Sequence, residues 1–260
     1  IIRPMLGAIV GDIVGSYYEV HRVKTKDFAF FRQESRFTDD TVLTVAVAEH
    51  LLTGRDIVEL FHNYVLAYPL AGYGTSFLKW AMERSRIPYR SYGNGAAMRI
   101  SPVGFAYTDL EEAFRKAQEI TSVTHNHPEA IKGAKAVVSA ILLSKEGRSK
   151  DEIKGFIERE FGYNLSRSLD QIRPDYRFDL SCQGTVPEAI ICFLESVDLV
   201  DAIRNAVSLG GDADTLACIA GGIAHAYYGG VPEFLKRKAF EILDGRLKSV
   251  IKSFCNRFHC

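Results

Sequence analysis

Two short segments near opposite ends of the chain combine carboxylates with threonine hydroxyls. They read FTDDTV and GGDADTL, and their candidate ligands are Thr38, Asp39, Asp40, Asp212, Asp214 and Thr215. The apolar residues that follow each segment recur every three or four positions, which predicts a helix with the acids in its first turn. Capping alone would explain either segment, because threonine caps helices and the helix dipole favours each first-turn anion by about 0.3–1 kcal/mol.

Taken as a pair, the segments support a second interpretation, which is a site for divalent cations. A cap residue and a first-turn residue can both point at an object over the helix end, so each segment can present two carboxylates. Four carboxylates that converge inside a fold repel one another strongly unless cations lie between them. Hard oxygen ligands suit Mg²⁺, Mn²⁺ or Ca²⁺ rather than zinc, since neither segment contains cysteine or histidine. Spacing alone leaves both interpretations open.

Three further segments contain polar residues that could do chemistry. In SYGNGAAMR, glycines 93 and 95 free the backbone so that N–H groups can approach a phosphate, although GNG taken alone is most often a turn. The His-x-His of THNHP, with His125 and His127, could bind metal, but the carboxylate pairs make a second ligand set redundant. Glu19 ends GSYYE, where it is either a surface glutamate or part of a site.

The elements that position these residues are predicted to be helices. Apolar residues at helical spacing run from LGAIVGDIVGSYYEV near the start to PEFLKRKAFEILDGRLKSVIKSF near the end, and the best strand candidate, KDFAFF, is weak. Pro128, Pro187 and Pro232 are each expected near a helix start, where the missing N–H costs nothing. Neither a low-complexity linker nor an internal repeat divides the chain. We therefore expect one all-α domain over residues 1–260.

Small residues mark two of these helices. Gly7, Gly11 and Gly15 form a stripe on the first predicted helix, and AGG at 220–222 lies inside the helix that follows GGDADTL. Each glycine costs about 0.8–1 kcal/mol of helix propensity relative to alanine. That cost is reasonable if another backbone packs very close, so we expect both helices to lie deep and to bring their ends together.

Composition limits the class of protein. The 260 residues include 32 Lys+Arg and 32 Asp+Glu, so no basic field indicates nucleic-acid binding. We find no apolar stretch near the ~18 residues of a membrane span and no features of a signal peptide at the first residues, and we expect a cytoplasmic protein. The cysteines have no CxxC pair and are expected to be reduced, mostly buried thiols: Cys182, Cys192, Cys218, Cys255 and Cys260.

In their order, these segments resemble the ADP-ribosylglycohydrolase family. The resemblance rests on GAIVGDIVGSYYE, FTDDT, SYGNGAAMR, THNHPEA and LGGDADTLACIAGGIA, and it spans nearly the whole chain. It implies an all-α, single-domain orthogonal helical bundle with a di-metal cleft that holds two Mg²⁺ or Mn²⁺ ions. Four carboxylates against two divalent ions would leave the site close to neutral.

Carried onto this sequence, the resemblance assigns roles to particular residues. The metal ligands are Thr38, Asp39, Asp40, Asp212, Asp214 and Thr215. The general base is Glu19 or Asp40, and the resemblance does not separate them. The substrate contacts are Ser91, Tyr92, Gly93, Asn94, Gly95, Met98, His125 and Gly211, with Tyr92 able to stack on adenine. RSRIPYR stands where the family is often glycine-rich, so the adenine side of the site differs.

The resemblance also implies a reaction. It predicts hydrolysis of the glycosidic bond at C1″ of ADP-ribose attached to a protein side chain, by metal-assisted attack of water. THNHP looks closest to bacterial relatives that act on arginine-linked ADP-ribose, whereas GSYYE and TVPEAIICFL look more like the serine-linked branch. Serine-linked ADP-ribose, O-acetyl-ADP-ribose and a non-catalytic ADP-ribose-binding role are the alternatives. We expect a monomer whose partner is an ADP-ribosylated protein or a small molecule that contains ADP-ribose.

Overall fold

The computed structural model describes residues 5–259, which form fifteen helices. Their bounds are α1 Leu6–Val20, α2 Asp39–Thr53, α3 Ile57–Ala67, α4 Thr75–Met82, α5 Gly95–Met98, α6 Ser101–Ala106, α7 Leu110–Ser122, α8 Pro128–Lys145, α9 Lys150–Phe161, α10 Leu169–Ile172, α11 Cys182–Leu194, α12 Leu199–Val207, α13 Ala213–Tyr228, α14 Glu233–Ile242 and α15 Gly245–Phe258. One hydrophobic core includes residues from Met5 to Cys255. The predicted all-α, single-domain class is confirmed.

Strand structure within residues 5–259 is limited to one isolated bridge, between Gly93 and Ser181. KDFAFF, at residues 26–31, is irregular. No helix in this described part of the chain combines the length and the apolar character needed to cross a bilayer. The cysteines at 182, 192, 218 and 255 are buried, as expected. Cys260 lies outside the described residues.

Helix ends differ from the sequence-based expectation in two places. The pattern over residues 232–254 is two helices, because Leu243 adopts an extended backbone and the Asp244 side chain caps α15 by accepting from the N–H of Leu247 at 2.9 Å. Pro187 lies inside α11 rather than at its start, so its ring interrupts the intrahelical hydrogen bonds. The hydroxyl of Tyr176 donates to the Gly184 carbonyl at 2.6 Å, one residue after the Gln183 carbonyl that Pro187 leaves without its helical donor.

The glycine stripe brings α1 and α13 into backbone contact. A Cβ placed on Gly7, Gly11 or Gly15 would lie 2.3, 2.0 and 2.4 Å from the carbonyl oxygens of residues 221, 217 and 213, respectively. The residue number of the contacted carbonyl in α13 decreases as the residue number of the glycine in α1 increases, so the two helices run antiparallel. Residues 6–15 of α1 and 213–225 of α13 are buried throughout, which is the pattern of helices enclosed by the core. The prediction that both helices lie deep and bring their ends together is confirmed.

Candidate active site

The antiparallel contact places the C-terminal end of α1 beside the N-terminal end of α13. A cleft of about 430 Å³ opens at this junction. Its walls come from the end of α1, the start of α2, the segment 71–77, the glycine loop at 91–95, His125 and the start of α13. The two acidic segments, 174 residues apart in sequence at Thr38 and Asp212, therefore line the same cleft.

Two clusters of carboxylates meet where these helices end. One oxygen each from Asp12, Asp40 and Asp214 lie within 4.8 Å of one another, and the same is true of Glu19, Asp212 and Asp214. Asp214 belongs to both clusters and links them. Asp39 lines the cleft and is half-buried, but it belongs to neither cluster. The expected convergence of the two acidic segments is observed, with Glu19 beside them.

Asp12 is the functional candidate that the sequence reasoning missed. It lies in α1 with no exposed surface, and its carboxylate accepts from the N–H and hydroxyl of Thr38 at 2.8 and 2.6 Å. It also accepts from the N–H and hydroxyl of Thr41 at 3.2 and 2.5 Å. Four donors from the first turn of α2 thus hold one carboxylate of α1. The available signal was a lone acid inside the apolar segment GAIVGDIVGS, which is costly to bury without partners.

The threonines of the acidic segments support the carboxylates. Thr38 caps α2 by accepting from the N–H of Asp40 at 3.3 Å, so the capping interpretation holds alongside the convergence. The hydroxyl of Thr215 lies 3.4 Å from Oδ2 of Asp40 and connects the start of α13 to the start of α2. Both threonines are buried.

Burial and mutual repulsion dominate the electrostatics of the clusters. Burial, with repulsion from Asp12 and Asp212, raises the pKa of Asp39 to about 8. Burial also raises the pKa values of Asp40 and Asp214 well above the usual range, and neighbouring carboxylates add to both shifts. The pKa of Glu19 is raised first by burial and then by Asp212 and Asp12. Holding all these groups ionised at neutral pH therefore requires positive charge among them.

The donor set fits a hard divalent cation. Oδ1 of Asp40 is buried and has no hydrogen-bond partner among the described residues, which leaves a lone pair for a ligand. The surrounding donors are carboxylate and hydroxyl oxygens, the type that Mg²⁺, Mn²⁺ and Ca²⁺ prefer. These acidic clusters could therefore bind metal.

The glycine loop reaches the cleft, but its polar groups are partly engaged. The Asn94 amide donates to Oδ2 of Asp212 at 2.7 Å and to the Thr185 hydroxyl at 3.1 Å, so it orients a carboxylate of the second cluster. The N–H of Gly93 donates to the Ser91 hydroxyl at 3.1 Å, and that of Asn94 donates to the Leu180 carbonyl at 2.7 Å. These two N–H groups are therefore occupied within the loop.

Most of the predicted substrate contacts lie on the cleft wall, and two do not. Ser91, Gly93, Asn94, Gly95, Met98 and His125 line the cleft. Tyr92 is outside the lining, with 53% of its surface exposed and its ring edge-on to His127. Gly211 is also outside it, and a Cβ there would lie 2.4 Å from the Tyr176 ring.

Other side chains that the sequence analysis did not single out line the same cleft. Tyr89, Phe77 and Phe178 provide aromatic surface, and Arg36 and Arg99 provide positive charge. The cleft thus has aromatic surface from rings other than that of Tyr92. Arg99 and Tyr89 lie in the quoted segments SYGNGAAMR and RSRIPYR, but nothing in their spacing predicts that their side chains reach the cleft.

Comparisons with known proteins agree with this geometry. Residues 2–259 match the family model described as ADP-ribosylglycohydrolase. The mouse protein named ADP-ribosylhydrolase ARH3 is 27% identical, over 96% of this chain and 90% of its own. ADP-ribosylarginine hydrolase Tri1 of Pseudomonas putida strain GB-1 is 24% identical, over 91% of this chain and 73% of its own.

A solved structure supports the same fold. The structure described as "ADP-ribosylglycohydrolase-related protein complex" matches with a TM-score of 0.71 over 97% of each chain, at 22% sequence identity. This likeness establishes the fold, and the family model over almost the whole chain establishes the relationship. The chain belongs to the ADP-ribosylglycohydrolase family and is a glycosidic-bond hydrolase.

Proposed function

We propose that this protein hydrolyses the glycosidic bond at C1″ of ADP-ribose attached to protein side chains and releases ADP-ribose. The observation that carries the proposal is the pair of carboxylate clusters in the same cleft as the glycine loop and His125. The clusters suit a sugar held at its hydroxyls, and the same cleft, of about 430 Å³, extends to the glycine loop and to the rings of Tyr89 and Phe77. Residues 1–260 would act as one ADP-ribosylglycohydrolase-like domain, as a cytoplasmic monomer.

Arginine-linked ADP-ribose is the first substrate that we propose. The similarity of THNHP to bacterial enzymes of that type supports it, as does the name of the P. putida relative, an ADP-ribosylarginine hydrolase. Serine-linked ADP-ribose is the second candidate, because GSYYE and TVPEAIICFL look more like that branch of the family. Thr185 of the latter segment accepts from Asn94 beside Asp212, so this stretch of sequence reaches the site.

Two Mg²⁺ or Mn²⁺ ions would be held by Thr38, Asp39, Asp40, Asp212, Asp214 and Thr215, with Asp12 and Glu19 beside them. When bound, these ions would supply Lewis-acid activation of water at neutral pH. Asp12 and Asn94 act earlier, because their hydrogen bonds fix the start of α2 and the Asp212 carboxylate before substrate arrives.

Proton transfer would be the task of a carboxylate at the cleft surface. Glu19 is our first candidate, because it is half-buried and lines the cleft beside Asp212 and Asp214. Its pKa is raised by burial, which makes it a better proton acceptor than an ordinary glutamate. Asp40 is the alternative, although it is almost fully buried behind Thr38 and Thr215.

The proposal is tested by incubating the protein with arginine-linked, serine-linked and O-acetyl-linked ADP-ribose in Mg²⁺, and then with a chelator, while measuring ADP-ribose released. We expect release from at least one substrate, dependent on metal. Asp214→Ala should abolish metal binding and nearly all turnover, and Asp39→Ala should act in the same direction. Asp170→Ala is the control, because the Asp170 side chain is 93% exposed and remote from the cleft. Wild-type release of ADP-ribose by the Asp214 variant would refute the mechanism.

A non-catalytic role in ADP-ribose binding is the competing proposal. Binding of ADP-ribose without release from any of the three substrates would favour it. The six acidic residues at the cleft argue against it, because a protein that only binds ADP-ribose has no need to hold six mutually repelling carboxylates together.

A further inference from the structure

A chain of hydrogen bonds joins Arg99 and His125 of the cleft wall through Thr124, which lies behind them. Nη2 of Arg99 donates to the Thr124 hydroxyl oxygen at 2.7 Å. That same oxygen lies 2.7 Å from Nδ1 of His125. Arg99 and Thr124 have no exposed surface, and His125 is 5% exposed. None of the three is in a carboxylate cluster.

The protons in this chain can be assigned by counting donors and acceptors. A guanidinium group only donates, so the Thr124 oxygen must accept from Arg99. The single proton of the Thr124 hydroxyl has Nδ1 of His125 as its one hydrogen-bond acceptor among residues 5–259. Nδ1 therefore accepts, and the proton of the neutral imidazole lies on Nε2. Burial, together with the charge of Arg99, holds the pKa of His125 well below its usual range, which agrees with a neutral ring.

Nε2 of His125 faces the glycine loop. A Cβ on Gly95 would lie 3.1 Å from Nε2, and a Cβ on Gly93 would lie 3.6 Å from it. His125 and both glycines line the cleft. The missing Cβ atoms of the glycines thus make room for the imidazole, whose Nε2–H group is a fixed donor where the glycine loop and His125 together line the cleft.

Arg99 adds a buried charge that has no ion-pair partner among residues 5–259. Its Nε and Nη1 atoms have no hydrogen-bond partner there, and Asp39 is the carboxylate whose charge acts on it. The guanidinium is placed over the Phe61 and Phe77 rings, 4.5 and 5.5 Å from their centroids. Because an unpaired buried cation is costly, its retention beside the cleft is best explained by an anionic ligand.

We propose that Arg99 and Thr124 are positioning residues, which hold His125 as the Nε2–H tautomer so that it donates to a phosphate oxygen of the bound diphosphate. The charge of Arg99 adds attraction for the same group. This inference rests on the proposed function, since it takes an ADP-ribosyl group as the ligand.

Two measurements test the proposal. The first is the nitrogen NMR spectrum of the His125 imidazole in the ligand-free protein, where we expect a protonated Nε2 and an unprotonated Nδ1. Thr124→Val removes the hydroxyl at nearly constant volume and should give a mixture of the two tautomers. Thr124→Ser keeps the hydroxyl and should restore the wild-type spectrum. A wild-type ring with the proton on Nδ1 would overturn the assignment.

The second measurement is ligand affinity. Losing one fixed hydrogen bond to a charged group should weaken ADP-ribose binding by about tenfold in Thr124→Val, with a similar rise in KM and little change in kcat. Arg99→Met should weaken ADP-ribose binding at least as much while leaving the binding of uncharged adenosine unchanged. Thr121→Val is the matched control, because Thr121 is buried one turn earlier and its hydroxyl lacks a hydrogen-bond partner. This variant should bind ADP-ribose with wild-type affinity.

The outcomes separate this inference from the proposed function. Unchanged ADP-ribose affinity in Thr124→Val, or equal loss in Thr121→Val, would overturn the positioning role. Wild-type protein that does not bind ADP-ribose would contradict the proposed function and with it the phosphate contact. The spectrum of the ligand-free protein decides the tautomer in either case.

Discussion

The Asp12 carboxylate of α1 and the Thr41 hydroxyl of α2 lie 2.5 Å apart, and the Thr41 N–H donates to the same carboxylate oxygen. With the two donors of Thr38, this contact joins the first helix to the N-terminus of the second at the level of the acidic clusters. Asp12 thus has two tasks, since it also contributes an oxygen to the cluster with Asp40 and Asp214.

Asp12→Asn should therefore weaken metal binding while leaving the fold intact. The amide keeps the size of the side chain but removes its charge and one acceptor, so we expect a loss of about 10–100-fold in metal affinity. Calorimetric titration with Mn²⁺ measures the change. Asp170→Asn, an exposed substitution, should bind Mn²⁺ like the wild type. Equal affinity in the Asp12 variant would exclude Asp12 from the metal site.

Removing metal should destabilise the protein, and more so at neutral than at acidic pH. The folded-state pKa of Asp39, which lies beside the metal-free clusters, is about 8, against an ordinary value of 3.8. A raised carboxyl pKa means that the folded state binds more protons than the unfolded state between these values, so metal-free stability falls as pH rises through that range. The melting temperature in excess chelator should thus lie further below that of the metal-loaded protein at about pH 7.5 than at about pH 5.5. An equal difference at both pH values would contradict this reasoning.

Substituting the two candidate bases should separate proton transfer from metal binding. Glu19→Gln keeps the shape at the cleft surface, and we expect normal metal content with turnover lowered by about 10²–10⁴-fold. Asp40→Asn alters a buried cluster member, so metal content and turnover should fall together. Metal analysis alongside single-turnover kinetics distinguishes the Glu19→Gln variant from the Asp40→Asn variant. Full activity in Glu19→Gln, with a metal-loaded but inactive Asp40→Asn, would reverse the assignment.

The contact between α1 and α13 should tolerate no added side chain. Gly11→Ala places a Cβ 2.0 Å from the Ala217 carbonyl oxygen, which forces two backbones apart. We expect a loss of at least about 2 kcal/mol in the free energy of unfolding measured with urea. Gly155→Ala in α9 is the control, because its Cβ would lie 3.8 Å from the nearest atom, on Arg159, and it should stabilise by about 0.5–1 kcal/mol. A neutral Gly11 variant would show that the helices separate easily.

The sequence correctly predicted the parts of the molecule in which the local pattern of residues agrees with the fold. Two acidic segments with threonine, each before a helix, predicted that the two helix starts lie together, and the glycine stripe of α1 predicted close contact with another backbone. Asp12 was not predicted as a site residue because its partners Thr38 and Thr41 belong to another helix, 26 and 29 residues away in sequence. Leu243 and Leu247 keep a helical spacing across the break before α15, so periodicity joined two helices there.

Side-chain direction in loops also could not be predicted. Tyr92 lies beside lining residues 91 and 93, yet its backbone carbonyl accepts from the N–H of Cys182 and its ring is turned toward His127. That orientation depends on the bridge between residues 93 and 181, which joins segments far apart in sequence. Arg99, by contrast, follows the glycine motif directly, but only the packing of Phe61 and Phe77 shows that it is enclosed.

The clusters draw their oxygens from residues 12 and 19 at one end of the sequence and from 212 and 214 near the other. During synthesis on the ribosome, the N-terminal acids emerge long before their partners have been translated. The nascent chain therefore lacks complete carboxylate clusters until residues 212 and 214 have been made, and the glycine face of α1 stays uncovered until α13 has been synthesised.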